Sequence, residues 1–213
     1  KTNKGNYESK TVLIATGSHR RKLEIPGAKE YEGKGIVYCA SCDAPLFGDK
    51  DVVIIGGGNA AFDAATQLLA YAKSVTLLNR SDMYKADPET IKKVLSNPRM
   101  KAMTNVAPIE IKGNKFVTGI VYENKETGEK IEMPVSGVFV EIGLLPTTDF
   151  VKNIVKLNNH NQIPVNPKNQ KTEVDGLWAA GDCTDGLYHQ NNIAAGDAIK
   201  AIEDIYGYLG TNN

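Results

Sequence analysis

The chain has 213 residues, with 25 basic and 25 acidic side chains and a formal net charge of zero. That balance excludes a broad electrostatic footprint for nucleic acid or an anionic lipid surface. A hydrophobic share of 41% and a charged share of 23% describe an ordinary globular mixture, long enough for one large or two small domains, and no apolar run approaches the ~20 residues a membrane helix needs.

The first ten residues are polar and carry no secretory leader pattern, which points to a cytoplasmic protein. The first residue is Lys1 rather than Met, and strand-like sequence follows almost at once. The expectation is a chain whose front is absent. Residues 11–15 form an apolar run ended by Thr16, Gly17 and Ser18, which predicts a buried strand and a tight turn. Residues 19–35, with Pro26, Gly27, Gly33 and Gly35, read as a connector. Cys39-Ala40-Ser41-Cys42 comes next, then a turn at Pro45 and Gly48. Residues 51–55 are the clearest buried strand, ended by Gly56-Gly57-Gly58. Phe62, Ala65, Leu68 and Leu69 recur at helical spacing and predict a helix over 59–72, followed by a strand at 74–78. Together these have the size of a βαβ unit.

Asp87-Pro88-Glu89 starts a second helix, with a capping residue, proline at the first position and an acidic first turn; it ends near Asn97 and Pro98. Strands are predicted at 106–112, 116–123 and 129–135, joined by turns at Gly113-Asn114 and Thr127-Gly128. A further strand at 136–142 ends at Gly143 and Pro146. Residues 176–180 form a short strand running into Gly181-Asp182. Residues 190–208 predict a long amphipathic helix whose apolar face carries Ile193, Ala194, Ile199, Ile202 and Ile205.

Three constellations carry chemistry. Gly56-x-Gly58-x-x-Ala61 lies between a strand and a helix. The first glycine permits the turn, the second lets backbone approach a pyrophosphate, and the small third residue allows helix–strand packing. The helix N-terminus then offers free N–H groups to the phosphates. At the end of the next strand an NAD site usually places an acidic residue for the ribose 2′-OH; here stand Asn79 and Arg80, with Lys85 just beyond. An uncharged residue with two cations suits a 2′-phosphate, so NADP is the expected ligand. The other reading makes Arg80 and Lys85 solvated loop charges.

The second constellation is Cys39-x-x-Cys42-Asp43. Thiols at this spacing close a disulfide with little backbone motion, and the motif lowers a thiol pKa toward neutrality, which favours exchange. Asp43 is a candidate proton donor or acceptor in that exchange. Zinc is the rival, but it needs four ligands, and the remaining candidates Cys183, His19, His160 and His189 are isolated in sequence. Two unrelated core thiols are the third reading. The third constellation, Gly181-Asp182 before the last helix, is a weaker signal: a turn aspartate, or a partner for a polyhydroxyl ligand.

The succession of Ala15-Thr16-Gly17 with Ile25-Pro26-Gly27, Cys39-x-x-Cys42-Asp43, Gly56-Gly57-Gly58-Asn59, Gly143, Ala180-Gly181-Asp182 and Gln190 resembles the low-molecular-weight thioredoxin reductases over essentially the whole chain. The redox pair placed just before the dinucleotide turn is the most specific part. The flavoprotein component of alkyl hydroperoxide reductase looks similar too, including the Glu-Ile-Gly-Leu-Leu-Pro stretch at 141–146.

The resemblance implies an α/β fold of two interleaved Rossmann-like dinucleotide-binding domains. An FAD domain would take 1–22 and 143–213, incomplete because its own glycine-rich βαβ unit is not among these residues. An NADPH domain with the redox pair would take 23–142. It implies FAD and NADP as cofactors and electron flow from NADPH through FAD to the Cys39–Cys42 disulfide, then on to thioredoxin or a thioredoxin-like protein. Cys39, Cys42 and Asp43 would be catalytic, with Cys42 nearer the flavin and Cys39 attacking the partner. Cofactor contacts would fall on Gly56, Gly58, Asn59, Ala60, Ala61, Asn79, Arg80, Lys85, Ile142, Gly143, Thr16, Gly17, Gly181, Asp182 and Gln190. Hinges are expected around 23–35 and 143–147, and the assembly would be a homodimer without nucleic acid or membrane partners. Two departures stand out: Ser81 occupies the place of a family arginine, and His189 that of a longer cation. The complete protein is expected to hold FAD and these 213 residues alone not to hold it tightly. The alternatives are the reductase component of a peroxide-scavenging pair and an NADP-binding fragment without turnover.

Overall fold

The computed structural model describes residues 4–211, so the outermost residues of the expected domain spans lie outside the described residues. The chain folds into two compact units: an inner one, Arg20–Gly143, and an outer one made of the segments up to His19 and from Leu144 onward. The divisions fall at 19/20 and 143/144 rather than at 22/23 and 142/143. Arg20 pairs with Glu141, and the Arg21 N–H donates to the Gly143 carbonyl, which draws these residues into the inner unit.

Val12–Ile14 is β1 and Ser18–Arg20 is β2. In the inner unit Ile36–Val37 is β3, and Ala40–Asp43 is a single-turn helix, α1, continued by a 3-10 turn over Ala44–Phe47. Asp51–Ile55 is β4, Asn59–Leu68 is α2, Ser74–Leu78 is β5, Pro88–Leu95 is α3 and Met100–Met103 is β6. Val106–Gly113, Val117–Asn124 and Lys130–Pro134 are β7, β8 and β9, and Gly137–Val140 is β10. Leu144–Pro146 is β11, Leu177–Ala179 is β12 and Asn191–Thr211 is α4.

The inner unit is built on a five-stranded sheet of order β3-β10-β4-β5-β6, parallel throughout. Side chains alternate along each strand. Val52 and Ile54 pack into one cluster with Phe62 and Leu68 of α2 and Val94 of α3. Val53 and Ile55 pack into the opposite cluster with Ile111, Val117 and Ile120 of the antiparallel sheet β7-β8-β9. Helices cover one face and a β-meander the other, so both faces are apolar and β4 reads as an unbroken hydrophobic run.

Several elements differ from the sequence reading. α2 stops at Leu68 rather than at 72; residues 69–71 form a turn, the Tyr71 and Ala72 N–H groups donate to the Leu68 carbonyl, and the Arg99 guanidinium bonds the Leu69 and Ala72 carbonyls. β6 was not expected: Met-Lys-Ala-Met carries no alternation, and it forms the half-buried edge of the sheet. β2 and β11, which pair with each other, lie in segments read as connectors.

In the outer unit β1 pairs in parallel with β12 alone among the described residues. Buried Trp178 donates its indole N–H to Asp204 of α4 at 2.9 Å and meets the Tyr208 ring edge-on. The expected apolar face of α4 is not buried. Ile199 is 60% exposed and Ile202 51%, while the helix docks through Ala201 and Asp197, the latter receiving the Gln170 Nε2 hydrogen bond at 3.1 Å. Among the described residues no helix is long and apolar enough to cross a membrane.

Candidate functional site

β4 delivers the chain into Gly56, whose φ of 144° suits glycine and whose N–H donates to the Leu78 carbonyl at 3.0 Å. A Cβ here would collide with the Glu141 carbonyl. A Cβ on Gly57 would strike the Asn79 carboxamide, so this middle glycine is constrained as well. Gly58 is different: it stands at the N-cap of α2 without a side-chain cap, and nothing comes nearer than 3.8 Å to its missing Cβ. Ala61 is fully buried, where its small side chain lets α2 approach β4. The turn therefore presents backbone and an uncapped helix start to an open cleft of about 700 Å³.

That cleft is lined by Gly56, Gly58, Asn59 and Ala60, by Asn79, Arg80 and Lys85, and by Ile142 and Gly143. Ala61 lies beneath it. Asn79 does not extend its donors toward a ligand: its buried amide donates to the Ser81 and Met83 carbonyls at 3.1 and 2.9 Å and so shapes the loop after β5. Lys85 is fastened to the glycine turn by its own N–H, which donates to the Gly57 carbonyl at 2.7 Å. Asn59 Oδ1 accepts from the Asp87 N–H, linking the first turn of α2 to the start of α3. Neither the Arg80 nor the Lys85 side chain is in an ion pair among the described residues.

One charged pair at this cleft was not singled out from the sequence. The Glu141 side chain is only 6% exposed and is ion-paired to Arg20 at 2.9 Å. Burial pushes its carboxyl above the usual glutamate range; Arg20 opposes that shift and Asp63 adds to it. The signal in the sequence was a charged residue closing the apolar run of β10, but its partner lies 121 positions away.

Cys39 and Cys42 are joined by a disulfide, with their Cα atoms 5.3 Å apart. Cys39 is the N-cap of α1, and its Sγ accepts the Cys42 N–H at 3.2 Å. Cys39 and Cys42 differ in setting: the first is half-buried, while the second is exposed, and Asp43 beside it is half-buried. Both this pair and the cleft belong to the inner unit. Among the described residues no group of three or more His, Cys, Asp or Glu is placed to hold a metal ion.

The remaining candidates belong to the outer unit. Thr16 Oγ1 donates to the Thr147 carbonyl at 2.7 Å, and Gly17, at φ 63°, accepts the Thr147 N–H. Asp182 is half-buried and accepts from Ser18 Oγ at 3.2 Å. Gly181 sits against Ala194, where a Cβ would make a 3.2 Å contact, which brings this turn to the start of α4. Gln190 is exposed just before that helix, and its carbonyl accepts the Ala194 N–H. His189 turns its ring to the Gly186 carbonyl.

A parallel α/β sheet with a glycine turn at the start of a helix, together with a Cys-x-x-Cys disulfide, defines a Rossmann-type oxidoreductase. Residues 1–198 match the pyridine nucleotide-disulphide oxidoreductase family, and the chain belongs to that family. It is 41% identical over 205 residues to the NADH dehydrogenase of Bacillus subtilis (strain 168), across 96% of this chain and 40% of that protein. It is also 41% identical to the F component of alkyl hydroperoxide reductase from Pseudomonas putida, across 96% of this chain and 39% of that one. The thioredoxin reductase of Lactococcus lactis has a similar structure, with a TM-score of 0.85 at 32% identity, over 94% of this chain and 66% of that chain. The chain spans about two-fifths of the length of the curated relatives it matches. Family membership implies FAD and NAD(P) as cofactors, and the glycine-turn cleft of the inner unit fits a dinucleotide. The glycine turn leaves room for phosphates, and the turns around Gly17 and Gly181 present backbone and the Asp182 carboxylate.

Proposed function

We propose that the chain forms the nucleotide- and disulfide-bearing part of an NADPH- and FAD-dependent disulfide reductase of the thioredoxin reductase type. Its electron acceptor is thioredoxin or a similar protein disulfide, its location the cytoplasm and its assembly a homodimer. The observation that carries this reading is the Cys39–Cys42 disulfide at the start of α1, on the same unit as the glycine-lined cleft.

The nucleotide phosphates rest on Gly56, Gly58, Asn59 and Ala60 at the start of α2, over the buried Ala61, and Arg80 and Lys85 answer a 2′-phosphate. Ile142 and Gly143 close the cleft. Thr16, Gly17, Gly181, Asp182 and Gln190 hold the flavin nucleotide. The cofactors, when bound, supply the electron pair that opens the disulfide. The chain's own sulfurs then do the exchange. Cys39, an N-cap sulfur facing the Cys42 N–H, is stabilised as thiolate and attacks one sulfur of the partner disulfide. The other partner sulfur leaves as thiolate and takes up the proton that Cys39 released, relayed by the adjacent Asp43. Cys42 then gives up its proton and attacks Cys39 in the mixed disulfide; the second partner sulfur leaves and takes up that proton, and the Cys39–Cys42 bond is restored. The partner gains two electrons and two protons, and the chain's dithiol gives them up.

The test is NADPH-driven reduction of thioredoxin, or of a disulfide dye, by the complete, FAD-loaded protein. Cys39→Ser and Cys42→Ser should each reduce turnover to background while NADPH still binds; turnover surviving either change overturns the reading. The same assay run with NADH addresses the coenzyme, and a lower KM for NADH would remove the role given to Arg80 and Lys85. The similarity to the alkyl hydroperoxide reductase component supports a second reading, in which the acceptor is the disulfide of a thioredoxin-like domain that feeds a peroxidase. Faster reduction of such a domain than of free thioredoxin would favour it.

A further inference from the structure

The sheet order places β10 and β5 on opposite sides of β4. In an open α/β sheet a dinucleotide lies across the strand ends at the point where the order reverses, with its pyrophosphate on the glycine turn. One nucleoside then lies toward β5, where Arg80 and Lys85 stand. The other lies toward the end of β10, where the chain presents Glu141.

The state of that carboxylate is informative. Oε2 receives the Arg20 guanidinium at 2.9 Å. Oε1 makes no hydrogen bond among the described residues, yet it is not one of the sealed, unpartnered polar atoms, of which Gln170 Oε1 is the one found. It therefore keeps an opening to solvent on a side chain that is otherwise almost entirely covered. An ionised carboxylate accepts hydrogen bonds only, so the free oxygen asks for a donor. Glu141 lines the same cleft as the glycine turn, so the donor would come from a molecule bound there.

We propose that Glu141, oriented by Arg20, recognises the neutral hydrogen-bond donors of the nicotinamide nucleoside, chiefly its ribose hydroxyls. This rests on the dinucleotide cleft described above. Arg20 is a positioning residue: it fixes one carboxylate oxygen so that the other faces the ligand. Asp63, on α2, adds negative charge near the same carboxylate and discourages a second anion there, which leaves neutral donors as the matching chemistry. A bond from a hydroxyl to a charged acceptor is strong enough to be read in binding.

The test compares ligands that do and do not carry the second nucleoside. The chain is titrated calorimetrically with NADPH, with NADH and with ADP, which carries the adenosine half alone. Glu141→Gln, which keeps the shape, and Glu141→Ala should each weaken the dinucleotides about tenfold or more and leave ADP within twofold. Intact ADP binding also reports that the cleft has folded. In the wild type, dinucleotide affinity should fall on acidification as Glu141 takes up a proton. Glu141→Gln should remove that dependence, and Arg20→Ala should move it to higher pH. Unchanged dinucleotide affinity in Glu141→Gln, with ADP still bound, overturns the role of Glu141 and leaves the cleft reading standing. Equal weakening of ADP and the dinucleotides overturns it as well, since the residue would then act through the glycine turn. Failure of the wild type to bind any of the three overturns the cleft reading itself.

Discussion

The inner unit buries apolar side chains on both faces of one parallel sheet, whereas the outer unit leaves much of its apolar surface open. Val52, Val53, Ile54 and Ile55 of β4 are all buried, and so are Phe62 and Phe139 around them. In the outer unit Val12 of β1 is 48% exposed, and Ile193, Ile199, Ile202 and Tyr206 of α4 face outward. In the inner unit packing and ligand geometry are one problem: Gly56 is squeezed between the Glu141 carbonyl and Ala61, so the site cannot shift without disturbing the core. In the outer unit the candidate flavin residues hang on turn hydrogen bonds such as Thr16 to Thr147 and Ser18 to Asp182. Regions of that kind open at lower free energy than a closed core.

Phe62→Ala is the strongest test of this contrast. Its ring is fully buried between the sheet and Tyr84, and its removal should cost about 3–5 kcal/mol in urea unfolding of the inner unit. A cost below about 1 kcal/mol would mean that this core is not the closed one described.

The pH response sharpens the contrast, because one group in each unit should act with opposite sign. Glu141 has its folded-state pKa raised, so the folded inner unit holds a proton more tightly than the unfolded chain. On this group's account stability rises as pH falls from the raised value toward the ordinary glutamate value. Asp175 in the outer unit is held low by Lys171 and Tyr208, so its small contribution is present at neutral pH and fades as pH falls through that lowered value. Urea midpoints of wild type and Glu141→Gln, stepped from neutral to mildly acidic pH, should converge on acidification. Parallel curves would show that Glu141 is not under-solvated.

The smallest effect is expected from Ile202→Ser on the open face of α4. A side chain this exposed should change stability by no more than about 0.5 kcal/mol. A loss several times larger would mean that this face is covered in solution.

The glycine turn, its helix and its flanking strands were legible in the sequence because each depends on local rules: an apolar run, glycines where no Cβ fits, and helical spacing after them. The Cys-x-x-Cys motif was legible as chemistry, although its place at the start of α1 was not. α4 shows the limit of periodicity, which groups Ile193, Ile199 and Ile202 on one face but does not say whether anything packs there. β6 escaped because an edge strand needs no alternation. The sequence pattern makes Asn79 a ligand contact; in the fold it lines the cleft while its amide N–H groups brace the loop after β5. Arg20 and Glu141 escaped because only the folded sheet brings them together.

Cys183 is wholly enclosed, with its sulfur against the Ala180 and Ile14 carbonyls. Walled in, it stays out of reach of alkylating reagents, so among the cysteines of these 213 residues labelling after reduction reports the opened Cys39–Cys42 bridge alone.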